Sequence, residues 1–316
     1  MIPALPGARS RGGGDRSFRG GSGPAVLALD VGGTKMAAAV VDPAGNIIAD
    51  ACVATPTSLD PEVVFGALVT VVDAVRSTTP APTVCGVGCG GPMDSGGEVV
   101  SPLNIRGWRR FPLRRRLADL VGLPVVVDND AKALALGEGW LGAARGVDNY
   151  VAMVVSTGVG GGIVIDGRLL DGAHGNAGHI GHVVVEPGGR PCTCGGRGCL
   201  EAEASGLSIE ATTGRPPPEA SDAVRRQTGT LVGRAVASVA NLLDVELAVV
   251  AGSVALGFGA VFFDAAQQEI EIRSRLEFSR ATRIIPAGLG ADGPLVGAAA
   301  VGRRAALAAG GGRTPG

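Results

Sequence analysis

A chain of 316 residues with 46% hydrophobic residues and a formal net charge of -1 can bury the core of one large or two medium domains, which excludes wholesale disorder. Lys and Arg number 28 against 29 Asp and Glu, so there is no positive surplus to drive nonspecific attraction to nucleic acid or to anionic lipid. Aromatic residues are only 3%, which makes the core aliphatic, and the 53 glycines must be located before they are interpreted.

The first 24 residues hold seven Gly, three Pro and four Arg without an apolar run. They lack the hydrophobic stretch of a secretory signal and read as a disordered leader, 1–24, or as the product of a wrongly chosen start codon. From Val26 the order VLALD, VGGTK, MAAAVV, DPAGN, IIADACV predicts three short strands joined by tight turns. Pro61 to Arg76 carries Val63, Val64, Ala67, Leu68, Val71 and Val75 at helical spacing, and TVCGVGCGG reads as a buried strand running into a glycine loop. Six arginines between Arg106 and Arg116, interleaved with Trp108 and Phe111, raise the question of nucleic acid. The apolar stripe Phe111, Leu113, Leu117, Leu120 answers it by leaving the arginines on a solvated helix face. The strand LPVVVDND and a helix over 131–141 follow.

Near Asn149 the opening layout returns as YVAMVVS, TGVGGG, IVI, DG, RLL, and two copies of one meander point to two domains of common design. The remainder predicts a helix over 221–243, a strand over 246–250, a helix over 254–275, a strand over 281–286 and a last helix over 294–309. Leu247 to Phe263 runs seventeen residues without a charge, at the short edge for a membrane span. Its glycines at 252, 257 and 259 divide it into a strand and a helix instead. Residues 310–316 read as an unstructured tail. Alternating strands and helices make the class α/β.

In LALDVGGTK an acidic strand end precedes Gly32 and Gly33, whose backbone N–H groups can approach an anion, while Thr34 and Lys35 add a hydroxyl and a positive charge. An ordinary hairpin turn is the plain alternative. Favouring the anion is the second segment, Ser156, Thr157, Gly158, Gly160 and Gly161, at the matching place in the second meander. Neither has Walker spacing. Asp128, Asn129 and Asp130 end a strand before a helix, where one can cap the helix and another do chemistry in the crevice. His182, Cys192, Cys194 and Cys199 supply one imidazole and three thiolates within eighteen residues, a set suited to a closed tetrahedral structural Zn2+ site. Cys52, Cys85 and Cys89 read as buried core residues.

With DxGGTK, the DND tripeptide, STGVGGG and GHxxxxxxxxxCxCGxxGCxE in one order, the chain resembles the ROK family from about Pro24 to Ala309. The resemblance implies an α/β actin-like ATPase (ribonuclease H-like) fold with two α/β domains flanking a cleft. They would be 25–128 with 294–309, the C-terminal helix returning, and 129–293 bearing the zinc loop. It implies ATP-dependent phosphorylation of a hexose 6-hydroxyl, with ATP, Mg2+ and structural Zn2+ as cofactors, in a cytoplasmic homodimer or homotetramer. By the same resemblance Asp130 is the general base. Asn104, Asn129, Asp130, His179, His182 and Glu201 hold the sugar. Asp30, Gly32, Gly33, Thr34, Lys35, Thr157, Gly158, Gly160, Gly161 and Gly252 hold the nucleotide and its metal. Where many members read EIGH, this chain reads HIGH. AGHIGH is similar to the N-acetylmannosamine kinases of the family, so N-acetylmannosamine is the expected sugar and glucose the alternative. An imidazole at 179 is expected to donate to the N-acyl group. The family's repressor branch needs a helix-turn-helix domain ahead of DxGGTK, and the roughly 29 residues before Asp30 carry no amphipathic helix.

Overall fold

The computed structural model describes residues 23–311, so the expected leader and tail fall almost wholly outside the described residues. The opening meander forms β1 (Val26–Val31), β2 (Lys35–Val41) and β3 (Ile47–Ala54), paired antiparallel in sequence. Helix α1 (Pro61–Val75) starts where the Asp60 carboxylate accepts from the Glu62 N–H and Pro61 sets the first turn. β4 (Val84–Cys89) and β5 (Val125–Asn129) then join β1 in parallel, with α2 (Leu113–Val121) leading into β5, giving the order β3-β2-β1-β4-β5.

After α3 (Asp130–Trp140) the plan repeats. β6 (Tyr150–Val155), β7 (Val159–Ile165) and β8 (Arg168–Leu169) are the second meander; α4 (Leu200–Ala204), α5 (Gly206–Thr213) and α6 (Asp222–Leu243) follow it, and β9 (Leu247–Ala251) and β10 (Arg283–Pro286) add in parallel, in the order β10-β9-β6-β7-β8. Two sheets of one topology, with helices packed on them, are the actin-like ATPase architecture.

Each sheet packs its own apolar core. The first holds Leu27, Leu29, Leu68, Trp108 and Leu117; the second holds Met153, Leu200, Val236, Phe262 and Ile270. A third cluster, rich in alanine, lies where α3 and α9 (Gly293–Gly311) meet strands of both sheets, through Ala28, Ala133, Leu136, Ala152, Val296 and Ala299. The C-terminal helix thus returns to β1 and β4. Small side chains let these helices seat closely on the strands, so α3, which begins at Asp130, is set against both sheets.

Three expectations need correction. The helix expected over 254–275 is two, α7 (Ser253–Phe258) and α8 (Ala260–Arg273), broken at Gly259, whose φ of 59° and ψ of -143° are open essentially to glycine alone. TGVGGG is a loop only at Thr157 and Gly158. Gly160, Gly161 and Gly162 are strand residues of β7, where added Cβ atoms would meet Ala131 at 3.1 Å, Ile180 at 2.9 Å and Ala135 at 2.8 Å. Their bareness lets α3 and the 178–181 segment press onto the strand. Cys52 is exposed on the edge strand β3, whereas Cys85 and Cys89 are buried. The arginine cluster lies only partly on a helix face: Arg114, Arg115 and Arg116 are on α2, where Arg114 and Arg116 pair with Glu98 and Glu62, whereas Arg106, Arg109 and Arg110 lie in the loop before it, and Trp108 is buried and stacked on Phe111.

Candidate active site

The strand ends of the first sheet bring the acidic residues together. Asp30 of β1 aligns with Gly88 of β4, which aligns with Asp128 of β5. The three residues at the end of β5 then take separate tasks. Asn129 caps α3, its Oδ1 accepting from the Ala131 N–H at 3.0 Å, which leaves only its Nδ2 to donate elsewhere. Asp128 lies 3.3 Å from the buried Lys132 ammonium. Asp130 accepts from the Ala131 N–H through Oδ1 at 2.8 Å. Its Oδ2 faces Gly90, where a Cβ would lie 3.9 Å away. Water reaches Asp130, yet protein surrounds it on most sides, and this burial raises its pKa against the pull of its backbone hydrogen bonds.

Asp30 is pushed up to about 6 by burial first and by the neighbouring Asp130 carboxylate second, with Lys35 pulling the other way. The folded chain therefore holds this proton more tightly than the unfolded chain. The cost of ionising Asp30 appears as pH rises from 3.8 through about 6 and is complete above that, on the order of 2–3 kcal/mol against folding. Asp30→Asn should accordingly raise Tm at pH 7.5 in buffer free of Mg2+ and nucleotide, with a gain that shrinks as pH falls towards 4. Calorimetry at both pH values checks this; a variant no more stable than wild type at pH 7.5 would contradict a strained carboxylate.

The first glycine turn closes by Gly32 N–H donating to the Lys35 carbonyl at 3.1 Å, and Thr55 braces it by donating from Oγ1 to the Gly32 carbonyl at 2.7 Å. Gly33 has a steric reason to be glycine: its Cβ would fall 2.3 Å from Asn104 Cβ. Asn104 thereby sits directly against the turn. Its own loop is held by Arg109, which donates to the carbonyls of Pro102, Ile105 and Trp108. The bracing roles of Thr55 and Arg109 leave no trace in side-chain spacing, because their partners are carbonyls.

On the opposite side the Glu201 carboxylate accepts from the Val159 N–H at 2.9 Å, next to Gly158, and so grips the second turn. Gly252, with φ 102°, lies against Val155, and Ser253 meets Ser156 at 2.9 Å between hydroxyls. Thr157 is exposed at the turn's tip. His179 Nδ1 lies 2.8 Å from the Asn176 carbonyl, which can only accept, so Nδ1 carries the proton. This corrects the expected donor role: in the neutral ring the free Nε2 is an acceptor. His182 stacks beside it with ring centroids 6.2 Å apart.

His182, Cys192, Cys194 and Cys199 place their ligand atoms within 4.8 Å of one another. His182 Nδ1 to Cys192 Sγ and Cys194 Sγ to Cys199 Sγ are both 3.7 Å. A tetrahedron with metal–sulfur bonds of about 2.3 Å has edges of about 3.8 Å, so the donor set fits Zn2+ in charge, softness and size. Cys199 immediately precedes α4 (Leu200–Ala204), and Glu201 lies in its first turn. Contacts thus run from Asn104 to Gly33, from Ala131 to Gly160, and from Gly158 through Glu201 to the cysteine loop, while the charge of Asp130 is felt at Asp30.

The chain matches the family model described as ROK family over residues 26–305. It is 38% identical over 250 residues to an N-acetylmannosamine kinase of Citrobacter koseri, covering 74% of this chain and 85% of that protein. It is similar to a solved ROK family glucokinase from Streptomyces griseus in complex with glucose and AMPPNP, with TM-score 0.76, 31% identity, and 89% and 99% of the two chains covered. It is also similar to a solved ROK family transcriptional regulator, a homologue of the E. coli MLC protein, with TM-score 0.76, 26% identity, and coverage of 89% and 78%.

Proposed function

The chain belongs to the ROK family, and on that premise we propose that it is an ATP-dependent kinase that phosphorylates the 6-hydroxyl of N-acetylmannosamine. Kinases and a regulator share the fold, so the fold does not separate them. The observation that carries the kinase reading is Asp130, a carboxylate at the head of α3 with one oxygen tied to the backbone and the other turned to the Gly90 loop.

In this reading the sugar lies among Asn104, Asn129, His179, Glu201 and the Nε2 edge of His182, with its 6-hydroxyl at Asp130. Asp130 takes the hydroxyl proton as the oxygen attacks the γ-phosphorus; the new O–P bond forms as the bond to the β-phosphate oxygen breaks, and ADP leaves. Gly32, Gly33, Thr34 and Lys35 would hold the phosphates from one side and Thr157, Gly158 and Gly252 from the other; Gly160 and Gly161 support that wall from within β7. Asp30 would hold Mg2+ through water, and that ion would neutralise charge on the transferring phosphoryl group. Residues 25–128 with 294–309 and residues 129–293 would be the two lobes. Zn2+ at the cysteine loop would be structural, since four protein ligands leave no open position. Among the described residues no helix is long and apolar enough to cross a membrane.

N-acetylmannosamine is preferred to glucose because the relatives at 35–38% identity are N-acetylmannosamine kinases and because of His179. A neutral imidazole offers a hydroxyl one acceptor without a formal charge, whereas a carboxylate there would repel an N-acyl carbonyl oxygen. A panel of N-acetylmannosamine, N-acetylglucosamine, glucose and mannose with ATP should give the highest kcat/KM for N-acetylmannosamine. His179→Glu should move the preference towards glucose by about 1–3 kcal/mol. A wild type that prefers glucose would replace the substrate, and one that phosphorylates no sugar yet binds a specific DNA would replace the kinase reading by the regulator.

A further inference from the structure

The segment from Asp171 to Asn176, DGAHGN, precedes His179 and is mostly exposed. Beneath it lies a cavity of about 430 Å³, walled by β5, by the 93–97 loop and by the C-terminal part of α9. No packed apolar side chain of its own pins this segment. A polar hub holds it instead. Lys132, on the first turn of α3 and with a side chain only 4% exposed, donates to Asp171 Oδ1 at 2.8 Å and to the Gly175 carbonyl at 3.2 Å, and pairs with Asp128 at 3.3 Å. Arg304 of α9 reaches Asp171 Oδ2 at 2.9 Å. The next residue after Gly175 is Asn176, whose carbonyl orients the His179 ring.

We propose that Lys132 is a positioning residue for the sugar: with Asp171 and Arg304 it fixes the 171–176 segment, and through Asn176 the His179 ring, relative to Asp130 two residues before it. This rests on the reading of the cleft as a sugar site. The geometry makes the link specific. Lys132 is two residues beyond the base in the same first turn of α3, and its three oxygen partners lie on β5 and on the 171–176 segment, so the ammonium ties the base's element to the loop that precedes His179. Asp171 bridges two cations from two helices, a three-point anchorage that an exposed, glycine-rich segment above a cavity would otherwise lack.

The test uses the full chain with Lys132→Met and, because a lone buried Asp128 can compromise folding, the half-exposed Asp171→Asn as a second variant. Both should raise KM for the preferred sugar about tenfold, with a much smaller change in kcat and in KM for ATP. Amide hydrogen exchange over residues 172–179 in the unliganded protein should quicken in both. The double variant should be little worse than either single one, because the two side chains act through one link. Unchanged exchange in a folded Asp171→Asn protein, an unchanged sugar KM, or losses that multiply in the double variant would overturn the proposal. A wild type inactive on every sugar of the panel, with the faster exchange still seen in the variants, would overturn the sugar reading and leave the anchorage standing.

Discussion

Asp130→Asn should lower kcat by about 10²- to 10⁴-fold, the usual worth of a general base, with little change in KM for either substrate. Asn keeps the shape and the Oδ1 acceptor that Asp130 offers to the Ala131 N–H, so the first turn of α3 has no reason to move. What is lost is the basic oxygen facing the Gly90 loop. Because burial raises the pKa of Asp130, its carboxylate is a stronger base than an exposed one and is protonated at higher pH. Activity of the wild type should therefore rise with pH as Asp130 ionises, and this acid limb should be missing from the residual activity of the variant. A coupled ADP-release assay across pH, beside a thermal melt of the same samples, reads both. Retention of more than about a tenth of wild-type kcat in a folded variant would remove Asp130 as the base.

The fold was legible because its signals are local: each meander is spelled by apolar runs with glycine and Asn or Asp turns between them, and the two copies announce a duplicated plan. The tasks of Asp128, Asn129 and Asp130 were not, because capping a helix and accepting a proton favour the same residue types. Lys132 decides between them by drawing Asp128 aside, and a contact of that kind becomes visible only once α3 is placed against β5. Asp171 is 39 residues from Lys132, and no spacing rule connects them. TGVGGG misled for a different reason. Glycine marks both a phosphate turn and a strand approached closely by its neighbours, and only packing against Ala131 and Ile180 tells Gly160 and Gly161 from Gly158. The cysteine set was legible in composition and spacing alone, since four soft donors so close together have few other uses.

Cys194→Ser should lose the metal, lower Tm and raise KM for the sugar by about tenfold or more, with a smaller effect on KM for ATP. Cys194 is the exposed cysteine of the set, so its replacement opens no cavity, whereas Cys192 and Cys199 are buried. Ile180, Val185 and Leu200 of the second core flank the cysteine loop, but most of that core comes from strand and helix residues such as Met153, Val236 and Phe262, so the chain should still fold with a lowered Tm. The local consequence is larger. Cys199 leads directly into α4, and Glu201 two residues later holds the Val159 N–H beside the second glycine turn. Freeing Cys199 loosens the start of α4, and with it the carboxylate that would meet the sugar, while His182 is released from the same ligand set; loss of such support commonly costs 10- to 100-fold. Metal analysis of wild type purified without chelator should give one zinc per chain. Absence of zinc there, or a zinc-free Cys194→Ser protein with the wild-type sugar KM, would separate the metal from the sugar site and leave Glu201 positioned by α4 alone.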